Sequence, residues 1–195
     1  MLPFLTLCIL FVLVLAHFRR KNDAAQSKVE EDFWSREYES NATRRQDISE
    51  LDYITIPLEK LPLDLDTDSS RRIQSLASEK MIDLSSYTNT DLKLKYGAAN
   101  LETLSEYECN YVDLEKALDS YASELLDHDR TQDAITILEY AVAIGSDVGH
   151  TYLTLAVLYH DTGENVKTQE LITHAREHAS LNRQPFLDKM QDYLT

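Results

Sequence analysis

From Ala98 onward the chain carries an apolar row at Leu104, Tyr107, Tyr111, Leu114, Leu118, Tyr121 and Leu125. The spacing alternates three and four, and no Gly or Pro interrupts it until past Asp127, so the pattern predicts one long helix with a seam on one face. Two packings satisfy such a seam, a coiled-coil dimer or partners within the chain. Tyrosines make poor regular knobs, which favours the intramolecular packing. Upstream, Ser69 or Ser70 is placed to cap a helix carrying Ile73, Leu76, Met81 and Leu84, and Thr90 to cap a short one that Gly97 ends. Between Tyr53 and Leu63, polar and apolar residues alternate around Pro57 and Pro62. Proline disfavours helix at the preceding residue, so residues 46–69 are expected to form an extended linker. Its six large apolar side chains exceed what a spacer needs. Residues 53–63 are therefore expected to dock in cis, on helices within residues 70–127 in preference to any groove. Asp64, Asp66 and Asp68 lack the glycine turn and distal Glu of a calcium loop and read as a solvated turn.

The N-terminus has a different pattern. Leu2 to Phe18 contains no Asp, Glu, Lys or Arg, and as a helix it would span roughly 26 Å against about 30 Å of bilayer hydrocarbon. Arg19, Arg20 and Lys21 follow at once, and the positive-inside rule keeps such a flank in the cytoplasm. The expectation is a single-pass anchor in the cell membrane at residues 1–18, with the C-terminal domain cytoplasmic. Cleavage near Val14-Leu15-Ala16 is the alternative, and the missing basic start argues against it. Residues 19–45 hold seven basic and six acidic residues and read as a juxtamembrane stalk. A helix at the membrane surface, with Trp34 and Arg44-Arg45 at the headgroups, is the less favoured reading.

A period of 34 residues appears in the last two-fifths of the chain. With Glu115 as position 1, Leu118, Tyr121, Ala122 and Leu125 take positions 4, 7, 8 and 11, and Ala134, Leu138 and Ala141 take 20, 24 and 27. One period later Tyr152, Leu155, Ala156 and Tyr159 repeat the first set, with Ile172 and Ala175 at 24 and 27. Phe186, Met190 and Tyr193 begin a third. Small residues at 8, 20 and 27 let paired helices approach, and bulky ones fill the space between. This pattern resembles the tetratricopeptide repeat family. Thr168 at position 20, and Ser146 and Ser180 at position 32, depart from it. The resemblance implies an all-α fold of antiparallel helical hairpins in a helical domain of residues 70–195, with repeats at 115–148 and 149–182 and a capping helix at 183–194. It also implies a peptide groove on the first helix of each repeat, at Lys116, Asp119, Ser123, Leu126, Asp127, His150, Leu153, Val157, His160 and Asp161. The alternative is that the chain's own helices cover this groove.

Composition narrows the function. The 195 residues carry 34 acidic and 19 basic side chains, a net charge of −15. Such a chain repels the phosphates of nucleic acid. Gly and Pro number four each, too few for a glycine-rich nucleotide site or a turn-rich β fold. Residues 98–195 hold 18 acidic and 6 basic residues, so an apolar or basic peptide suits the groove better than an acidic tail. Cys8 and Cys109 provide no disulfide framework, and Cys109 is expected to be a helix-packing thiol. His174 and His178 stand four apart, but no further ligand completes a metal site. The eleven tyrosines, recurring at repeat positions, read as core. No catalytic residue, cofactor or metal site is expected. The function expected is a membrane-anchored, non-enzymatic scaffold for protein–protein interaction, with self-association open. The alternative is a structural subunit of a membrane complex acting through the anchor and the long helix.

Overall fold

A computed structural model describes residues 2–178 and 188–190 of the chain. They form seven α-helices and no strand: α1 (Leu2–Ala42), α2 (Asp68–Leu76), α3 (Asn89–Tyr96), α4 (Leu101–Asp127), α5 (Thr131–Ala143), α6 (Gly149–Asp161) and α7 (Asn165–His178). The all-α expectation therefore holds. The chain divides into two compact units, Met1–Ile48 with Tyr87–Glu102, and Ser49–Ser86 with Thr103–Thr195.

In the first unit α1 runs unbroken through residues 18 and 19, so the stalk is helical as far as Ala42. Among the described residues no helix is long and apolar enough to cross a membrane. The expected anchor falls largely on side chains outside the described ones; of its residues Phe11, Leu15 and Phe18 are described, and all three are exposed. α3 is capped by Thr88, two residues before the expected Thr90. Thr88 accepts from the Asp91 amide while Asp91 accepts from the Thr88 amide, a reciprocal box that Thr90 has no partner to build. Thr90 instead donates to Glu37 on α1, which also pairs with Lys93, and Arg36 pairs with Asp91. These bonds hold the Glu37 carboxyl below its ordinary pKa. Gly97 ends α3 as expected, at φ +88°, where a Cβ would lie 2.5 Å from Arg44 O. Buried Asn100 ties the segment after α1 to the end of α3. Its amide donates to Gln46 O and Tyr96 O, and its oxygen accepts from Arg45 Nε.

In the second unit Thr67, not Ser69 or Ser70, caps α2. Ser70 is the third helical residue, and its hydroxyl returns the bond to the Thr67 amide. The segment before it is extended, apart from a 3₁₀ turn at Leu58–Lys60, and it docks in cis as expected. Ile56 and Leu61 are 8 % and 9 % exposed and belong to the core, with Ile54, Leu63 and Leu65 packed against it. Ile54 donates to Met81 O at 2.9 Å, Tyr140 on α5 donates to Thr55 O at 3.1 Å, and Tyr121 on α4 donates to Pro62 O at 2.7 Å. Arg130 grips Asp64 with both Nη atoms and Asp133 with Nε. Met81 lies in the loop after α2 and Tyr121 on α4, within residues 70–127 as expected, whereas Arg130, Asp133 and Tyr140 lie beyond them on α5 and the turn before it, so the segment straps the first hairpin and leaves the expected groove positions aside.

The long helix and its row of apolar residues are as expected, with every member except Tyr107 buried. The hairpin boundaries recur after 34 residues. α4 and α6 end at Asp127 and Asp161, and α5 and α7 begin at Thr131 and Asn165. Most turn bonds recur with the same period, the exception being the His128 amide, which donates to Leu125 O where Thr162 donates to Leu158 O. Arg130 N donates to Leu125 O and Glu164 N to Tyr159 O; Ala134 N donates to Arg130 O and Thr168 N to Glu164 O. Asp129 and Gly163, one period apart, both take positive φ, at 56° and 77°. Ala122, Ala134, Ala141, Ala156 and Ala175 are buried in the shared core with Leu118, Tyr121, Leu138, Tyr152 and Ile172. The expected capping helix at 183–194 lies outside the described residues save 188–190, where Met190 is buried.

Candidate protein-interaction surface

The groove positions fall on α4 and α6, and the structure brings part of the set together. Asp119 on α4 meets the start of α6: His150 Nδ1 lies 2.9 Å from its carboxylate, and the Thr151 hydroxyl donates to it at 2.9 Å. This locks the N-terminal end of α6 to α4. Ser123 spends its hydroxyl on Asp119 O, one turn back in its own helix. Leu126, Leu153 and Val157 are half-buried, and Leu126 and Leu153 lean on the core while leaving part of their surface to solvent. His160 is exposed at the end of α6, and Asp127 and Asp161 are exposed at the helix ends. Lys116 departs from the set. It lines a crevice of about 320 Å³ between α2 and α4 with Asp68, Arg72 and Asp113, because α2 packs along that side of α4.

The larger concavity was not foreseen. A cavity of about 420 Å³ opens between α5, α6 and α7, floored by Leu155 and Leu171 and edged by Glu139, Lys167, Glu170 and His174. Tyr159 donates to Glu139 at 2.7 Å, and Lys167 bridges Glu139 and Glu164 while lying over the Tyr159 ring. Burial, with Glu139 beside it, pushes the Tyr159 phenol well above its ordinary pKa. Lys167 is thus part of a bonded cluster. Glu139 and Lys167 stand 28 residues apart, out of register with the 34-residue period, so neither the period nor the apolar spacing signals the cluster.

Other expectations need correction. Cys109 is exposed and is not a packing thiol, since it lies off the buried seam of α4. Tyr38 and Tyr87 are exposed, so the tyrosines are not uniformly core. His174 stacks on Tyr152 with ring centroids 6.3 Å apart, and the His178 side chain lies outside the described residues. Among the described residues no group of His, Cys, Asp and Glu is arranged to hold a metal ion.

Glu115 is buried at 5 % exposure on α4 and accepts from the Asp147 amide at 2.8 Å. Tyr111, four residues earlier, donates to Ile144 O at 3.4 Å. Together they clamp the loop between α5 and α6, which fixes the second hairpin against the first. Burial raises the Glu115 carboxyl above the ordinary range despite these bonds. No family model, no curated relative and no solved structure matches the chain.

Proposed function

We propose that this chain is a membrane-anchored, non-enzymatic interaction module whose tetratricopeptide-like hairpins hold an apolar or basic peptide. The observation that carries the reading is the recurrence after 34 residues of the hairpin turns, in their helix boundaries and most of their backbone bonds, with half-exposed Leu126, Leu153 and Val157 on the first helix of each pair. A rigid row of partly exposed aliphatic side chains beside Asp119, Asp127 and Asp161 favours apolar contact and repels acidic ligands. The Asp119 bonds to His150 and Thr151 support pre-organisation of that row, which lowers the ordering cost of binding. The anchor rests on the charge-free run Leu2 to Phe18 and the basic cluster after it.

Two measurements test this. Leu153→Asp and Val157→Asp should abolish recovery of partners from solubilised membranes, while Val166→Asp on exposed α7 surface leaves it intact. Equal recovery from all three variants removes the groove reading. For the anchor, the full chain should resist alkaline extraction, and a reporter after Thr195 should be active only in the cytoplasm. Neutralising Arg19, Arg20 and Lys21 while adding lysines before Pro3 should invert it.

A further inference from the structure

Helix α1 has a second feature that the groove does not explain. Val29, Phe33, Trp34 and Tyr38 are 70 %, 56 %, 60 % and 80 % exposed. Val29, Phe33, Arg36 and Ser40 stand four, three and four apart, so they share one face of the helix. α3 engages that face through Arg36 and Glu37, and Ser40 is fully buried. One to two turns earlier the same stripe is bare. Trp34 and Tyr38, four apart, extend it around the flank, and the Phe33 and Trp34 rings meet edge-on with centroids 5.3 Å apart. Exposed Trp and Tyr beside Phe are the residue types that concentrate binding energy in protein interfaces.

The charges around this patch select its partner. Between Lys28 and Glu39 there are two basic and five acidic residues. Arg36 is neutralised by Asp91, and Glu37 by Lys93. That leaves Lys28 against Glu30, Glu31, Asp32 and Glu39, all exposed. Such a rim repels an anionic membrane surface. Trp34 also lies about 24 Å along the helix from Phe18, beyond headgroup reach of a span ending there. A second copy would bring the same acidic rim to a side-by-side contact.

We propose that residues 29–39 of α1 are a docking site for an amphipathic helix of a partner protein, apolar on one face and edged by Lys and Arg. The ridge of Val29, Phe33, Trp34 and Tyr38 packs on that apolar face, and Glu30, Glu31, Asp32 and Glu39 pair with its basic edges. The site is separate from the hairpin groove and stands if that reading fails.

Trp34 is the chain's sole tryptophan, so its fluorescence reports this site alone. The probe is a synthetic amphipathic helical peptide of Leu and Lys, with a Leu and Glu counterpart as control, titrated into the full chain in zwitterionic nanodiscs. The expected result is a saturable blue shift with the Lys peptide, weakened by salt, and none with the Glu peptide. Phe33→Ala and Tyr38→Ala, at exposed positions, should each raise the apparent Kd about tenfold. Replacing both Glu30 and Asp32 by Lys should do the same, whereas Leu153→Asp in the hairpin groove should leave the shift unchanged. Equal shifts with both peptides, or wild-type binding by Phe33→Ala and Tyr38→Ala, overturn the proposal. A Trp34 shift produced by anionic lipid or by protein concentration, without peptide, assigns the patch to a membrane surface or to a second copy and overturns it equally.

Discussion

Removing the Tyr121 hydroxyl isolates the strap from the rest of the core. Tyr121 is fully buried, and its OH donates to Pro62 O at 2.7 Å and accepts from Leu65 N at 3.4 Å. Tyr121→Phe keeps the ring and therefore its place in the core. The cost is one good hydrogen bond, one weak one, and two backbone groups left under-satisfied in a half-buried segment. That amounts to about 1–2 kcal/mol. By comparison, Ile56→Ala or Leu61→Ala empties a core position and should cost about 2–4 kcal/mol. Hydrogen exchange of the full chain separates the two. In Tyr121→Phe the faster amides should be confined to residues 61–66. A local loss of about 1.4 kcal/mol there corresponds to about tenfold faster exchange where opening is local. Global stability in urea should fall less in this variant than in Leu61→Ala. Unchanged exchange at Leu65, or exchange of residues 53–63 at free-peptide rates in the wild type, would refute the strap as a structural element.

Three further outcomes are expected. Ala156→Phe forces a large ring into a fully buried position between α6 and its neighbours and should cost about 1–3 kcal/mol or more, while Gln132→Phe on exposed α5 surface should be nearly silent in thermal denaturation. Gly97→Ala places a Cβ 2.5 Å from Arg44 O at a backbone conformation reserved for glycine; about 1–3 kcal/mol of strain should appear as faster exchange of the Gln46 amide, which donates to Tyr96 O. The raised pKa of Glu115 means that the folded state holds its proton more tightly than the unfolded chain, so this group's contribution to stability falls as pH rises from about 4.5 through its folded pKa. Glu115→Gln should remove that fall, and the stability difference between variant and wild type should grow over the same window in urea titrations at successive pH values.

Most of the fold carried by apolar side chains was legible in the sequence; the exception is α2, expected to carry Met81 and Leu84 but ending at Leu76, with both residues buried in the loop that follows. The seam from Leu104 to Leu125, the buried alanines and the docking strap all announce themselves through spacing and through apolar residues that a linker does not need. Polar construction was less legible. Thr67 and Thr88 win their helix starts because Ser70 and Asp91 reciprocate, and several neighbouring Ser and Thr residues offered the same single-residue signal. The association of α3 with α1 depends on Glu37, Lys93, Asn100 and Gln46, residues some 50 positions apart whose types are ordinary on any surface. In the candidate groove, the row Leu126, Leu153 and Val157 followed from the resemblance, but the displacement of Lys116 to the α2 side required knowing where α2 packs. The Glu139, Tyr159 and Lys167 cluster likewise needs three helices in place before it exists.

The most direct test of the interaction module is a photo-crosslinker at Val157 of the full chain in native membranes, compared with the same group at Val166. The expected result is a discrete protein adduct from Val157 that a basic, aliphatic peptide competes away, and no corresponding adduct from Val166. Identical adducts from both positions, or an adduct at Val157 that an acidic peptide displaces equally well, would contradict it.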